Sequence, residues 1–267
     1  MDGPPRIHAG IFDIGGVLIA NEPGAVRRDI VATLAISDEA YDAAWAELGP
    51  LLGRGLISEQ EFWARFCART GARGGLPPAP SHASSTALGA GPADGRRPSG
   101  GAGSEAAGPG QSDGPGTGSI FLREYVRHFR VHQDVLDLVA ALKRCGLRLA
   151  VLSNTIEPHA RFLRRTGLFR HFDVLVLSNE VGMSKPDPQI YRHTLRLLES
   201  EASPERVFFV DDLAENVAAA AALGIHGIRF QSGAQLRAAL RALGVDGLDA
   251  PGPPGGRSDQ ARYPFGP

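Results

Sequence analysis

The stretch Ile11-Phe12-Asp13-Ile14-Gly15-Gly16-Val17-Leu18 ends an apolar run on a carboxylate and follows it with two glycines. A short apolar run bounded by turn residues is the pattern of a buried strand. Such a strand places Asp13 at its carboxyl end, where open parallel sheets bind ligands. Taken alone, Asp13 reads better as a turn former ahead of Gly15 and Gly16. Three further segments change that reading. Ser153-Asn154 and Asp211-Asp212 each follow a strand-like run, and Lys185-Pro186 stands just before a helix start. A carboxylate, a hydroxyl with an amide, an ammonium and an acidic pair are what metal-assisted phosphoryl transfer requires.

Outward from that stretch, strand-like runs at 8–14, 147–152, 174–177, 207–210 and 226–230 alternate with helix-like runs at 135–143, 158–166, 188–198 and 214–223. Alternation of this kind predicts an α/β fold, a doubly wound, parallel five-stranded sheet with a Rossmann-like core. Ser203 before Pro204 marks a further short helix. Apolar residues at helical spacing in 26–34, 41–52, 62–67 and 121–129 predict a small helical-bundle cap. Ser37 ahead of Asp38 and Glu39 starts its second helix, and Ser58 with Glu61 has capping-box spacing for the third. The segment 72–118 is dominated by Gly, Pro, Ala and Ser, with Leu76 and Leu88 as its only large apolar residues. It cannot offset the entropy of ordering and is expected to be a disordered insertion within the bundle. The expected organisation is a catalytic core at 7–19 and 130–242, a cap at 20–129 interrupted at 72–118, and a disordered tail at 243–267.

Composition narrows the partners. The chain has 267 residues, 43% of them hydrophobic, enough for a sizeable core. Lys and Arg number 28 against 29 Asp and Glu, a net charge of −1, so no basic field collects nucleic acid or anionic membrane. Any anion must be bound locally. Met1-Asp2-Gly3-Pro4-Pro5 lacks the basic start of a signal peptide, and no apolar run approaches the roughly 20 residues of a membrane span. Cys67 and Cys145 are too few for a disulfide framework. The expectation is a cytoplasmic protein with a small phosphorylated substrate, no nucleic-acid or membrane partner and no obligate protein partner.

Each candidate residue has a plainer role to be weighed. Ser153-Asn154 caps a helix near Pro158, or it donates to phosphate oxygens. Lys185 is a solvated loop lysine, or a cation held stiffly by Pro186 and Pro188 at a helix N-terminus. Asp211-Asp212 opens the helix containing Asn216, or it holds a hard divalent ion, since adjacent acids are electrostatically wasteful without one. Asn216, one turn after Asp212, is placed to orient the pair. His128 and His132 have helical metal-site spacing but no third ligand, which favours a structural role.

The order and context of these segments resemble the haloacid dehalogenase superfamily, in its phosphatase-like branch with a helical, C1-type cap. The resemblance covers about 7–71 and 120–242, and the flanks LSNEVGMSKPDPQIY and VFFVDDLAENVAAAAALGIHGIRF carry it. It implies that Asp13 is the nucleophile, forming an aspartyl-phosphate that water hydrolyses. It implies Mg²⁺ held by Asp13, the backbone carbonyl of Gly15 and Asp212, with Asp211 close behind. Ser153, Asn154 and Lys185 would bind the transferring phosphoryl group. Physical chemistry agrees, because a carboxylate cannot approach an anionic phosphate unless charge is neutralised, and Lys185 and Mg²⁺ supply that.

One departure stands out: the superfamily usually carries a second Asp two residues after the nucleophile, as acid and base, and here that residue is Gly15. Some sugar-phosphatase-like members also resemble this chain in having Gly there. The acid/base is left unassigned, with Asn21 and Glu22 the nearest replacement candidates. The expected function is therefore a Mg²⁺-dependent phosphatase of small phosphorylated metabolites, sugar phosphates first. Two alternatives stay open, a 2-haloacid dehalogenase and a non-hydrolytic module that binds a phosphorylated ligand.

Overall fold

In the computed structural model the described residues are 6–20, 22–72, 119–200 and 203–248. In chain order they form β1 (Ala9–Phe12), α1 (Pro23–Leu34), α2 (Asp38–Gly53), α3 (Glu59–Thr70), α4 (Ile120–Arg127), α5 (Gln133–Arg144), β2 (Arg148–Ser153) and α6 (Glu157–Arg165). Then follow β3 (Val174–Leu177), α7 (Ser178–Val181), α8 (Pro188–Leu197), a 3₁₀ turn (Pro204–Arg206), β4 (Val207–Asp211), α9 (Ala214–Ala221), β5 (His226–Arg229) and α10 (Gly233–Ala242). The strands make one parallel sheet in the order β3-β2-β1-β4-β5. Every residue of β1 is buried, as befits the central strand of a sheet covered on both faces.

Alternation along the strands sorts the core into two layers. Phe12, Leu149, Val151, Phe208 and Val210 face α5 and α10, whose Leu138, Leu142, Leu236 and Leu240 are fully buried. Ala9, Ile11, Ala150, Leu152 and Phe209 face α8 and α9, which supply Ile190, Tyr191 and Ala220. Gly10 permits this packing, because the Phe208 ring lies 2.2 Å from where a Cβ would stand. A third cluster, separate from the sheet, is built by α1 to α4 around Leu48, Phe62, Trp63, Phe66 and Phe121. Phe121 stacks on Trp63 with ring centroids 4.6 Å apart, so α4 closes the bundle although its sequence lies far from α3. The chain crosses between sheet and bundle twice, side by side, where Ala20 N–H donates to Arg130 O at 2.8 Å and His132 N–H to Leu18 O at 2.9 Å.

Ser37 and Ser58 cap α2 and α3 as their spacing foretells, accepting from Ala40 N–H and Glu61 N–H. β1 is shorter than the expected 8–14, because after Asp13 the chain folds back and Leu18 and Ile19 N–H both donate to Ile14 O. Two helices were not expected, α7 and α10. The disordered tail from residue 243 is corrected at its start: Val245 and Leu248 are buried in the sheet's core, and Arg237 Nη1 holds Leu248 O at 2.7 Å. These two apolar side chains offset part of the cost of ordering the six residues beyond α10. The insertion from residue 73 to 118 and the tail from 249 lie outside the described residues, as does Asn21. Among the described residues no helix is long and apolar enough to cross a membrane.

Candidate active site

Three strand ends meet at the centre of the sheet. Asp13 continues β1, its N–H donating to Val210 O at 2.9 Å; Ser153 ends β2 and Asp211 ends β4. The register pairs Phe12 with both Val151 and Val210, so Asp13 stands between the ends of its two neighbours. Ile14 N–H donates to Asp13 Oδ1 at 2.7 Å and fixes the carboxylate against the turn.

Lys185 enters from the segment before α8. Its Nζ lies 2.8 Å from Asp13 Oδ1 and 2.6 Å from Asp211 Oδ2, with its side chain 1% exposed. The ammonium also sits 5.6 Å from the Phe209 ring centroid, a favourable seat for a cation. The solvated-lysine role is thereby excluded. What holds Lys185 is Asn154: its Oδ1 accepts from Lys185 N–H at 2.8 Å and its Nδ2 donates to Lys185 O at 2.9 Å. Neither Ser153 nor Asn154 caps α6, whose N-cap is Ile156 with no side-chain bond.

Asp211 is fully buried and saturated. Its Oδ1 accepts from Leu213 N–H at 2.9 Å and from Asn216 Nδ2 at 3.0 Å, while Oδ2 meets Lys185. Asn216 is held in turn by the Tyr191 hydroxyl, which donates to Asn216 O at 3.0 Å. Asp212 instead comes up against Gly16, whose φ of 76° only glycine adopts easily and whose Cβ, if present, would stand 2.3 Å from Asp212 Oδ2. Gly16 is thus the residue that admits Asp212 to the site. One carboxylate oxygen each from Asp13, Asp211 and Asp212 fall within 4.8 Å of one another. Burial pushes the Asp13 carboxyl above its ordinary range, the Lys185 charge opposes this, and the Asp211 charge reinforces it.

Beyond this cluster opens a cavity of about 510 Å³ between sheet and bundle. Asp13, Gly15, Ser153, Asn154, Lys185 and Asp212 line one end, and the bundle's Tyr41, Trp45, Phe121 and Tyr125 line the other. Glu22 lies at the cavity with its side chain 57% exposed, 3.8 Å from His128. His128 and His132 do not converge: His128 Nε2 pairs with Asp29 at 2.9 Å, and His132 Nδ1 with Val17 O at 3.0 Å. The cavity wall was invisible in the sequence, because Tyr41, Trp45 and Phe121 at helical spacing read as bundle core. His159, stacked on Tyr125 at 3.9 Å, carried no signal at all.

His159 yields a test of this packing. Burial holds its imidazole down at about 4, against an ordinary 6.5. Below pH 6.5 the unfolded chain takes up a proton that the folded chain refuses until about pH 4. Stability therefore falls with pH across that window, by on the order of 3 kcal/mol. Urea denaturation of wild type and His159→Gln at pH 7 and 4.5 checks this, and the variant should lose the smaller share. Equal losses would mean that His159 is solvated.

Fold and site together define a doubly wound α/β protein with an acid, lysine and acid cluster at the strand ends. A family model described as haloacid dehalogenase-like hydrolase matches residues 7–224, and the chain belongs to that family. The chain is 38% identical over 113 residues to the plasmid phosphoglycolate phosphatase of Cupriavidus necator, covering 41% of this chain and 47% of that one. It is 34% identical over 93 residues to the phosphoserine phosphatase of Thermus thermophilus, covering 34% and 36%. The chain therefore spans less than half the length of these curated relatives. Among solved structures, a HAD-like family hydrolase from Porphyromonas gingivalis superposes with a TM-score of 0.60 at 22% identity, covering 90% of this chain and 99% of that one. A HAD family enzyme from Bacteroides thetaiotaomicron, solved with magnesium and inorganic phosphate, gives 0.59 at 19% identity, covering 85% and 96%. These two likenesses concern the fold.

Proposed function

We propose that the chain is a Mg²⁺-dependent phosphomonoesterase of small phosphorylated metabolites, working through an aspartyl-phosphate on Asp13. The observation that carries this reading is the buried Asp13 carboxylate, held by Lys185 2.8 Å away and open to the cavity. An oxygen of Asp13 attacks phosphorus, the bond to the leaving oxygen breaks, and the departing alkoxide takes a proton. Water then attacks phosphorus, releasing phosphate and restoring the carboxylate. The Ser153 hydroxyl and the Lys185 ammonium meet the phosphoryl oxygens. Asn154, whose amide is engaged by the Lys185 backbone, acts by holding that lysine in place.

The residues fit a hard cation: three carboxylates converge, and the Lys185 ammonium lies between two of them. Asp13 and Asp212 would hold Mg²⁺, with the Gly15 carbonyl that the resemblance implies. Asp211, saturated by Lys185, Leu213 and Asn216, would steady the site from behind. When bound, the ion supplies positive charge that lets an anionic ester approach Asp13. The Bacteroides enzyme holding magnesium and phosphate, and relatives named as phosphatases, support this reading. The expectation of sugar phosphates gains nothing from the cavity wall. A dehalogenase is disfavoured, since Asp211 and Asp212 repel a haloacid carboxylate. A cytoplasmic location accords with the same small-molecule chemistry.

Phosphate release from acetyl phosphate with Mg²⁺, and no halide from 2-chloropropionate, is the expected result. Chelation should abolish turnover and added Mg²⁺ restore it. Asp212→Ala should raise the Mg²⁺ needed for half-maximal rate by about tenfold or more. An unchanged titration would place the metal elsewhere, and a bound but unhydrolysed phosphate ester would favour the binding module.

A further inference from the structure

The far end of the cavity shows what the leaving group must be, granted the phosphatase reading above. A sugar or hydroxy-acid ester brings hydroxyls or a carboxylate into this space, and each needs a free partner. Among the described residues the cationic groups there are already engaged. Arg27 is bound by both Asp42 oxygens, at 2.8 and 2.9 Å, and by Asp38. His128 is bound by Asp29, and His159 Nε2 lies 3.3 Å from Phe121 O. Burial keeps His159 uncharged at neutral pH. Glu22 and Asp42 add negative charge where a second anionic group would lie.

Among the described residues what remains is chiefly aromatic surface, with the neutral phenol and indole donors of Tyr41, Tyr125 and Trp45 at its edges. Tyr41 and Trp45 lie parallel, 9° apart with centroids at 5.9 Å, and Phe121 meets Trp45 edge-on at 5.8 Å. On the other side, the Tyr125 and His159 rings stack within 15°. A cavity of about 510 Å³ exceeds the needs of a two-carbon acid and suits a ligand with a ring system. Flat faces of this kind bind flat, apolar groups. We propose that the alcohol released is uncharged and aromatic, so that the substrate class is the phosphate monoester of an aromatic or heteroaromatic alcohol.

The test uses the full chain with Mg²⁺ and four esters. Acetyl phosphate, small and activated, reports phosphoryl transfer itself. Benzyl phosphate, glycerol 1-phosphate and phosphoglycolate all lose unactivated primary alcohols, so their differences report the far end of the cavity. Benzyl phosphate should exceed the other two in kcat/KM by about tenfold or more, the scale of burying one ring. Turnover of acetyl phosphate with glycerol 1-phosphate or phosphoglycolate at least as good as benzyl phosphate overturns the inference and leaves the phosphatase reading standing. No turnover of acetyl phosphate takes both down. Asp42→Asn, on the exposed face of α2, frees part of Arg27 and should raise the phosphoglycolate to benzyl phosphate ratio about threefold, the scale of one exposed ion pair. A ratio that does not move overturns the charge argument.

Discussion

Asp13→Asn will remove turnover and leave the fold intact. The exchange is nearly isosteric, and the amide oxygen can still accept from Ile14 N–H, now at 2.7 Å. On the proposed mechanism, what disappears is the anion that attacks phosphorus. With both steps placed on this one side chain, no other described residue of the cavity substitutes for it. Phosphate release in a discontinuous assay should fall below about a hundredth of wild type. Far-ultraviolet circular dichroism should be unchanged. Residual activity above that level, once deamidation is excluded by mass spectrometry, would contradict covalent catalysis at Asp13.

Lys185→Met should show the largest effect on stability. The ammonium lies between two buried carboxylates, with side-chain exposures of 1% for Lys185, 10% for Asp13 and 0% for Asp211. Removing the cation from such a cluster leaves like charges unpaired in the interior, which costs about 3–5 kcal/mol. Without the cation, burial and the Asp211 charge hold the Asp13 carboxyl still further above its unfolded value. A group raised in this way contributes stability at low pH that is lost as pH climbs through its folded value. Metal-free Lys185→Met should therefore lose more stability against wild type at pH 8 than at pH 5, in guanidinium denaturation. An equal loss at both would mean that the two acids are solvated once the lysine is gone. Phosphate release should vanish in the same variant.

The sheet was legible because its three central strands are buried on both faces. Continuous apolar runs such as 207–210 can hardly be anything else, and the acids that end them mark the strand ends. Lys185 was legible for a different reason, since two prolines around an isolated lysine announce a stiff segment. The hold of Asn154 on Lys185 was not. As a residue after a strand it reads as a donor to ligand, and its amide also binds the Lys185 backbone from a segment 31 residues away. Asp211 and Asp212 also look alike in sequence, but one is locked by three donors while the other is admitted beside Gly16. Val245 and Leu248 were lost in a Gly-rich, Pro-rich surrounding that local composition marks as tail.

The sequence by itself determined the α/β architecture, the four helices of the bundle and the acids and lysine that meet at the strand ends, because strand burial, helical spacing and the chemistry of acids and lysine are local properties. Only the tertiary structure decided what fills the rest of the cavity. Arg27, Tyr41, Trp45, Phe121, Tyr125 and His159 come from α1, α2, α4 and α6, and their convergence depends on how the bundle docks over the sheet. The same docking decides whether a charge is available to a ligand, since Arg27 is a free cation in the sequence and a paired one in the fold.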